Sequence, residues 1–379
     1  MRRLTIGTFF RLQGPDGSRL FQGCANYASE DASIDLRCWD TSMWPTDGLD
    51  KGLGLDGVLA QIFPVMNTPA SVRNPPMPVV NVSPCCAHCP LPRIYPDETG
   101  IGRAAAAYFL RRGFRHFLYC SNPSHGGDPL RYAGFKEEVE QAGFSTARVV
   151  LPGLPHEAYQ LQAPRFEPQP KWLQALPRPL AILCFSDYEA SFVTRTCTRA
   201  RISIPDEIAI IGINDDHGWT HQSAVTISSF DPGFERLGYE AMADLVRHLR
   251  RKRALVSRTV RAFRFHPRRS TDALAIEDPL VKAALDVIEE REDSRLKVTD
   301  LVRAVGVSRR VLERRFRQKA GFSVLHAIQF SRMERAKNLL RSTEIPLKSI
   351  ATATGFRDAV HMGRVFRRML GQCPSRYRR

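Results

Sequence analysis

The first 230 residues alternate short apolar runs with amphipathic stretches, and this alternation limits the folds open to the chain. Runs such as Leu180–Phe185 and Ile208–Ile213 contain no polar side chain, and Leu4–Phe10 contains only two threonines, so none of them alternates strictly between apolar and polar. Such runs are typical of strands buried on both faces, which occur in parallel sheets covered by helices. The pattern therefore predicts an α/β domain of parallel sheets with right-handed βα crossovers.

The net charge is concentrated at one end of the chain. The 379 residues carry 55 basic and 39 acidic side chains, a formal net charge of +16. Residues 280–379 hold 23 basic and 10 acidic side chains, hence +13, which leaves +3 for the rest. A basic domain beside a near-neutral body favours a polyanion partner, although a solvated basic surface would give the same count.

The chain contains no apolar run of about 18 residues, so the sequence predicts no membrane span. Its start lacks the features of a signal peptide, and we expect a cytoplasmic protein. Nine cysteines, mostly inside apolar runs, favour reduced thiols over disulfides. Cys85, Cys86, His88 and Cys89 crowd into one segment, whereas zinc sites need spaced pairs. We therefore predict an ordinary loop and no metal or cofactor, with structural zinc as the alternative.

The pattern changes from βα alternation to helices near residue 270. Residues 152–171 are rich in Pro and Gln and predict a loop, and the segment STDALAIEDP reads as a connector. We predict an effector domain over 1–267, a connector over 268–280 and a helical domain over 281–379.

The helical part contains a helix-turn-helix pattern. Val298–Val305 predicts a short helix, Gly306 ends it, and Ser308 is a good N-cap for the next helix. Leu312 and Phe316 of that second helix should face the core of the domain. The polar side chains on and around its other face are candidates for DNA contact: Ser308, Arg309, Arg310, Glu313, Arg314 and Arg317. Arg can pair with guanine and Glu with cytosine, while a solvated charged face is the alternative reading.

The same arrangement recurs nearer the C-terminus. A helix after Pro346 ends at Gly355, and a second helix follows, closed by Gly371, with Met362, Val365, Phe366 and Met369 as its apolar stripe. Its other side carries Arg357, His361, Arg364 and Arg368. Residues 323–341 between the two units lack Gly and Pro and predict one helix almost 30 Å long, at about 1.5 Å a residue. A turn of DNA is about 34 Å, so such a spacer suits successive major grooves.

These residues resemble the DNA-binding domain of the AraC/XylS family, above all in the segment IATATGFRDAVHMGRVFRRMLGQCPSRYR. The resemblance covers about 100 residues and implies base contacts by Arg310, Glu313 and Arg314 in the first unit. In the second unit it implies contacts by Ala359, His361 and Arg364. His361, Met362, Gly363 and Cys373 depart from the family pattern, and we expect these departures to change sequence preference more than fold.

The N-terminal body resembles the core of LacI/GalR-type repressors and periplasmic sugar-binding proteins. The likeness lies in Asp97–Asn122, in RYAGF (Arg131–Phe135) and in RISIPDEIAIIGINDD (Arg201–Asp216). It implies two α/β lobes with a ligand cleft at their hinge.

The same resemblance implies ligand positions. Arg131 stands where the family grips a pair of sugar hydroxyls, although an Arg at a helix start can equally pair with Glu or Asp. Asn214 replaces an Asp, and Ser186, with Asp187 beside it, replaces an Asn. Phe9 and Phe10 end the first strand and could form an aromatic platform for a sugar ring or belong to the core.

The combination of the two domains resembles the xylose-operon type of regulator within the AraC/XylS family. It implies a transcription regulator that binds a double-stranded DNA operator and responds to a small carbohydrate, xylose or a related sugar. It also implies activation of sugar-utilisation genes by a homodimer, with contact to RNA polymerase. The alternatives are a sensor that binds a non-sugar ligand or serves mainly in dimerisation, a transport-type binding protein, and an enzyme. The sequence has no G-x-S-x-G, Walker A, G-x-G-x-x-G or H-E-x-x-H motif, so we expect no catalytic residues.

Overall fold

The computed structural model describes the chain in segments. They are residues 3–43, 49, 53–62, 75–85, 90–123, 125–151, 171–222, 225–272, 278–290, 296–320, 322–343, 345–370 and 373–377. Contacts divide the chain into two units, 1–110 with 115–273, and 111–114 with 274–379. Of the predicted loop over 152–171, residues 152–170 lie outside the described residues, and Lys171 begins a short helix instead. The neighbours Cys86, His88 and Cys89 and the helix-closing Gly371 also lie outside the described residues.

A parallel four-stranded sheet forms the first lobe of the larger unit. Its strands are β1 (Leu4–Phe10), β2 (Ile34–Asp40), β3 (Gly57–Ala60) and β4 (Val79–Asn81), in the order β2-β1-β3-β4. Helix α1 (Pro15–Ser29) packs here against a later helix, Phe234–Arg251. Glycines allow this close approach, since a Cβ on Gly23 would lie 1.9 Å from the Glu235 carbonyl oxygen.

The second lobe is built on a six-stranded sheet. Its strands are β6 (His116–Ser121), β7 (Thr146–Val150), β8 (Leu180–Cys184), β9 (Ile208–Ile213), β10 (Ser228–Asp231) and β12 (Arg264–His266). Their order is β12-β10-β9-β8-β6-β7, and the β10–β12 pair is antiparallel while the other pairs are parallel. Strands β5 (Ile94–Pro96) and β11 (Arg258–Val260) form a separate parallel pair.

The helices of this unit connect and cover the strands. After α1 they are α2 (Glu98–Arg111), α3 (Asp128–Gln141), α4 (Lys171–Gln174), α5 (Asp187–Ala200), α6 (His217–Thr220) and α7 (Phe234–Arg251). Every residue of β8 and β9 is buried, because helices and neighbouring strands enclose both faces. The chain passes between the lobes after Asp97, after Asp231 and after Val260, which confirms the predicted two-lobed α/β fold.

The smaller unit is helical. Its helices are α8 (Pro279–Glu290), α9 (Val298–Val305), α10 (Arg309–Arg315), α11 (Val324–Ser342), α12 (Leu347–Ala353) and α13 (Ala359–Leu370). Helix α10 continues as a π-helical turn over Phe316–Ala320. The predicted turn and cap are present: Gly306 has φ 68°, and Ser308 Oγ accepts the Val311 N–H at 3.4 Å. In the described part of the chain no helix is long and apolar enough to cross a membrane.

Helix α11 supplies both hydrophobic cores of this unit. Its first half packs Ala327 and Ile328 against Leu312 and Phe316 of the first helix-turn-helix. Its second half packs Met333, Ala336 and Leu340 against the second core, which includes Ile350, Met362 and Phe366. One uninterrupted helix therefore joins the two helix-turn-helix elements, as its sequence predicts.

Candidate sensor cleft and DNA-binding surface

Each of the two sheets has one switch point, where the strand order reverses direction. Polar side chains lie at both switch points. In the first sheet β2 and β3 lie on opposite sides of β1, and in the second β7 and β8 lie on opposite sides of β6. Open α/β sheets bind ligands outside the carboxyl ends of strands at such switch points. The residues that follow β1, β3, β6 and β8 are therefore the first candidates for a ligand site.

The switch point of the first lobe holds a closed hydrogen-bond network. Arg11 Nη2 lies 2.8 Å from both Asp16 carboxylate oxygens, and Gln61 Nε2 donates to Asp16 Oδ2 at 2.9 Å. Gln61 Oε1 accepts the Arg11 N–H at 2.8 Å. Next to it Asn81 is fully buried, and its Nδ2 has no hydrogen-bond partner within the described chain. A buried amide donor without an acceptor suits a hydroxyl ligand.

Arg131 lies at the second switch point, in a buried ion pair with Glu98. Its Nε donates to Glu98 Oε2 at 2.9 Å, and the two side chains are 3% and 4% exposed. The guanidinium also donates to the Phe185 carbonyl oxygen and lies 4.6 Å from the Phe185 ring centroid. Burial raises the pKa of Glu98, and the positive charge of Arg131 opposes that rise. An acidic partner for Arg131 was the alternative prediction, and the structure shows such a partner, Glu98, buried with it.

His125 connects the two polar clusters. Its ring centroid lies 4.8 Å from that of Phe185, and its Nδ1 accepts the Gly127 N–H at 3.1 Å, which requires an unprotonated Nδ1. Burial, followed by the charges of Arg131 and Arg11, lowers the pKa of His125 to about 3. Because Arg131 belongs to one lobe and Arg11 to the other, both lobes place charge near this single imidazole.

The other predicted ligand residues differ in how many hydrogen bonds their side chains already form within the protein. Ser186 caps α5, accepting the Tyr188 N–H at 3.1 Å and donating to the Glu189 carboxylate. Asp187 is buried, accepts from Ser229 Oγ at 2.6 Å and from the Asp216 N–H at 2.7 Å, and burial raises its pKa. The Asn214 side chain is partly exposed and forms no hydrogen bond with the described residues. Of this group, Asn214 is the one left available to a ligand.

Phe9 and Phe10 lie in hydrophobic cores on the two faces of β1. Phe9 stacks on Trp39 with 5.1 Å between ring centroids, and Phe10 packs with Leu20 and Leu59. Their exposures are 1% and 0%, so neither ring faces an open cleft in this conformation.

Six polar residues of these clusters were not predicted from the sequence: Arg11, Asp16, Gln61, Asn81, Glu98 and His125. Arg11 directly follows the predicted strand Leu4–Phe10, and that position is the signal that could have identified it. Glu98 carries no such signal, since only the fold brings it to Arg131.

Helix α10, the second helix of the first helix-turn-helix and its candidate recognition helix, has a basic surface. Helix α13 is the corresponding second recognition helix. Arg309, Arg310, Arg314 and Arg317 are exposed, and none of them forms an ion pair with the described residues. Glu313 is partly buried among them. Leu312 and Phe316 are fully buried, as their i, i+4 spacing predicts. Exposed guanidinium groups along one helix can reach base edges or phosphates in a major groove.

The second recognition helix is less uniform. Arg364 is exposed and unpaired among the described residues, whereas Arg368 Nη2 donates to Gln329 Oε1 at 2.6 Å and is thereby held against α11. Arg357 Nε pairs with Asp358 at 2.9 Å, and the same carboxylate accepts the His361 N–H at 2.6 Å. His361 and Ala359 are partly buried.

Val360 is an exposed apolar residue at the start of the second recognition helix. It is 69% exposed, beside two predicted contact positions. Val360 was not predicted as a contact residue, because apolar residues in a helix are usually assigned to the core. An exposed apolar side chain on a recognition helix is suited to the methyl group of thymine.

No metal site is found where the structure can be described. Among those residues no group of three or more His, Cys, Asp or Glu side chains could hold an ion. Cys85 is buried, and burial raises the pKa of its thiol.

Two family models match the chain. A periplasmic binding protein-like domain matches residues 106–271, and a helix-turn-helix domain matches residues 301–379. The xylose operon regulatory protein of Escherichia coli (strain K12) is 27% identical over 342 residues, 88% of this chain and 86% of its own length. The arabinose operon regulatory protein of the same strain is 32% identical over 102 residues, 27% of this chain and 35% of its own length.

The chain therefore joins a periplasmic binding protein-like domain to a helix-turn-helix domain. A solved structure of the xylose-binding transcription activator xylR shares this fold, with a TM-score of 0.62 at 23% identity, over 100% of this chain and 98% of that one. Both of these relatives are named as regulatory proteins of operons. The two domains and these relatives support a DNA-binding, sugar-responsive transcription regulator.

Proposed function

We propose that the sensor binds a small carbohydrate, xylose or a related sugar, in the cleft between its two lobes. The observation that carries the proposal is the convergence of two polar clusters, one from each lobe, at both switch points. Asn81 offers a buried amide donor without a partner among the described residues, and Asn214 offers an amide group that can both donate to and accept from hydroxyls. The relatives that match most of the chain are named for a xylose operon.

The proposed mechanism is a population shift. Sugar in the cleft favours one relative arrangement of the lobes, and the DNA-binding unit reads the change. The chain acts in the cytoplasm as a homodimer, activates sugar-utilisation genes and contacts RNA polymerase. It carries out no reaction of its own and requires no cofactor. We propose 1–267 as the sensor, 268–280 as the connector and 281–379 as the DNA-binding domain.

On the DNA, the two recognition helices occupy successive major grooves. Arg310, Glu313 and Arg314 of the first helix contact base edges, as do Ala359, His361 and Arg364 of the second. Ser308, Arg309 and Arg317 position the first helix on phosphates. Arg357 and Arg368 do the same for the second helix.

One observation favours a different effector. In sugar sensors of this kind the guanidinium at the position of Arg131 is expected to grip hydroxyls, but here Glu98 and the Phe185 carbonyl oxygen engage it. A ligand must either leave this ion pair intact or replace Glu98. The second candidate function is therefore a regulator whose sensor binds a non-sugar ligand or serves mainly in dimerisation.

A thermal-shift screen of the full chain against pentoses and hexoses distinguishes the two. A sugar present at 100 times its Kd stabilises the folded state by about 2.7 kcal/mol, so a true effector raises the Tm clearly. Asn214→Gly, which removes the amide and tolerates the positive φ of this position, should abolish that rise, while Asn26→Ala on the surface of α1 should retain it. A folded, DNA-binding protein whose Tm no sugar changes would favour the second candidate.

A further inference from the structure

The carboxyl end of β9 carries two consecutive residues with positive φ, neither of them glycine. Asn214 has φ 107° and Asp215 has φ 51°. A Cβ makes this region unfavourable, even for Asn and Asp. Strained backbone persists only where surrounding contacts fix it, and it is concentrated at ligand sites and switches.

Contacts from four directions hold this turn. The Phe230 carbonyl oxygen accepts the Asn214 N–H at 2.8 Å, and Arg19 Nη1 donates to the Asn214 carbonyl oxygen at 2.9 Å. Ser229 Oγ accepts the Asp215 N–H at 3.1 Å. The fourth contact comes from Arg268, whose Nη2 lies 2.6 Å from Asp215 Oδ1. The two side chains are 14% and 12% exposed, so solvent screens this ion pair only in part.

Arg268 stands where the chain leaves the sensor. Its Nη1 also donates to the Ile227 carbonyl oxygen at 2.9 Å, and its N–H donates to Ser228 Oγ at 2.7 Å. Just beyond it, Ser270 Oγ donates to the Ile210 carbonyl oxygen at 2.6 Å, and Thr271 Oγ1 lies 2.7 Å from Ser228 Oγ. The start of the connector is therefore fastened to β9 and β10, directly beside the strained turn.

The far end of the connector is fastened as well. Asp278 caps α8, its Oδ1 accepting the Leu280 N–H at 3.0 Å, and its Oδ2 lies 2.8 Å from Arg315 Nη1. The Asp278 side chain is 4% exposed. Arg315 belongs to α10, the first recognition helix, so the connector ends in an ion pair with a helix that is proposed to read DNA.

We propose that the Asp215–Arg268 ion pair couples the sensor cleft to the connector. The inference rests on the proposed function in one respect, namely that the effector contacts Asn214. A ligand bound there stabilises one conformation of the Asn214–Asp215 turn over others, and Arg268 is the connector side chain whose partner lies in that turn. Asp215 and Arg268 are positioning residues that touch neither sugar nor DNA. They transmit the effect of bound sugar from the Asn214–Asp215 turn to the connector.

The test uses the full chain, D-xylose as the probe with L-arabinose and D-ribose in parallel, and a duplex selected by the protein from random DNA. Calorimetry gives the sugar Kd, and a titration gives the duplex Kd with and without saturating sugar. The ratio of those two duplex Kd values is the coupling. Arg268→Met is compared with Arg269→Met, because Arg269 is the exposed neighbour whose side chain has no partner among the described residues.

Arg268→Met should bind sugar within about threefold of the wild-type Kd, while its coupling ratio, expected to be about 5- to 150-fold in the wild type, falls towards one. Arg268→Lys should recover part of the ratio, and Arg269→Met should keep all of it. Asp215→Asn replaces Arg268→Met if the latter does not fold. A wild-type ratio in both Arg268→Met and Asp215→Asn, with sugar binding intact, overturns the coupling and leaves the proposed function standing. Failure of the wild type to bind any of the three sugars overturns both.

Discussion

Arg131 and Glu98 form an ion pair shut off from solvent, with Arg131 Nε 2.9 Å from Glu98 Oε2 and at most 4% of either side chain exposed. The pair occupies the place where a sugar-gripping guanidinium is expected. Its first role is therefore structural, since a buried charge without its partner is strongly destabilising.

Removing Arg131 alone should lower the free energy of unfolding of the sensor. Arg131→Met leaves Glu98 buried without a counter-charge, and we expect a loss of about 3–5 kcal/mol in the free energy of unfolding. The double variant Arg131→Met/Glu98→Leu should recover most of it. Arg103→Met is the control, because its ion pair with Glu137 is 44% and 46% exposed and should be worth less than about 1 kcal/mol. Equal losses in the single and double variants, measured by urea unfolding, would contradict a tightly coupled pair.

His125 should make the sensor sensitive to acid. Its pKa is about 3 in the folded chain against about 6.5 unfolded, so between these values the unfolded chain binds more protons. Stability contributed by neutral His125 is complete above pH 6.5 and is lost as the pH falls, by at most about 1.4 kcal/mol per pH unit. His125→Asn keeps an acceptor for the Gly127 N–H but does not titrate. Its unfolding free energy should therefore fall less than that of the wild type between pH 6.5 and 5, and parallel curves would argue against this role.

The arginines of the recognition helices should differ in their effect on base preference. Arg310→Ala and Arg364→Ala remove exposed guanidinium groups that form no ion pair with the described residues, and each should relax preference by about 1–3 kcal/mol at one operator position. Arg368→Ala should change preference less, because Gln329 already engages that side chain. Selection of binding sites from random duplexes measures all three. An effect of Arg368→Ala as large as that of Arg364→Ala would show that the bond to Gln329 is given up on DNA.

Val360 should contribute to sequence preference without contributing to stability. Val360→Ser removes an apolar surface that is 69% exposed, so the free energy of unfolding should change by less than about 0.5 kcal/mol. Preference for thymine at one position of the second half-site should weaken. Replacing that thymine by uracil, which lacks the methyl group, should weaken the wild type and leave Val360→Ser unaffected. If the two proteins respond alike to uracil, Val360 makes no methyl contact.

Much of the fold follows from local patterns. Strands β1 and β9 have the predicted bounds because each is a mainly apolar run of six or seven residues with a polar residue at either end. The tandem helix-turn-helix units follow from Gly306, Ser308 and the apolar spacing of α13. Strands β5, β11 and β12 have three residues each and pair with distant partners, so the sequence holds little local signal for them.

The residues of the candidate site could be predicted from the sequence less completely than the fold. Arg131 was identified by resemblance, but its partner Glu98 lies 33 positions away and is brought to it by the packing of α2 on α3. That packing depends on Gly102, where a Cβ would lie 2.1 Å from the Arg131 carbonyl oxygen. Asp187 looked like a ligand residue because it follows a strand, yet the fold uses it to fix the backbone at Asp216. Which polar groups satisfy one another is a tertiary property, and sequence spacing does not contain it.

The most direct test of the account is the affinity of the full chain for a selected duplex, measured across salt concentrations with and without D-xylose. A basic surface that neutralises several phosphates should lose on the order of 10³-fold or more in affinity between 50 and 200 mM salt. At fixed salt, saturating sugar should change the affinity about 5- to 150-fold. Affinity that depends on neither salt nor sugar would contradict a sugar-responsive DNA-binding regulator.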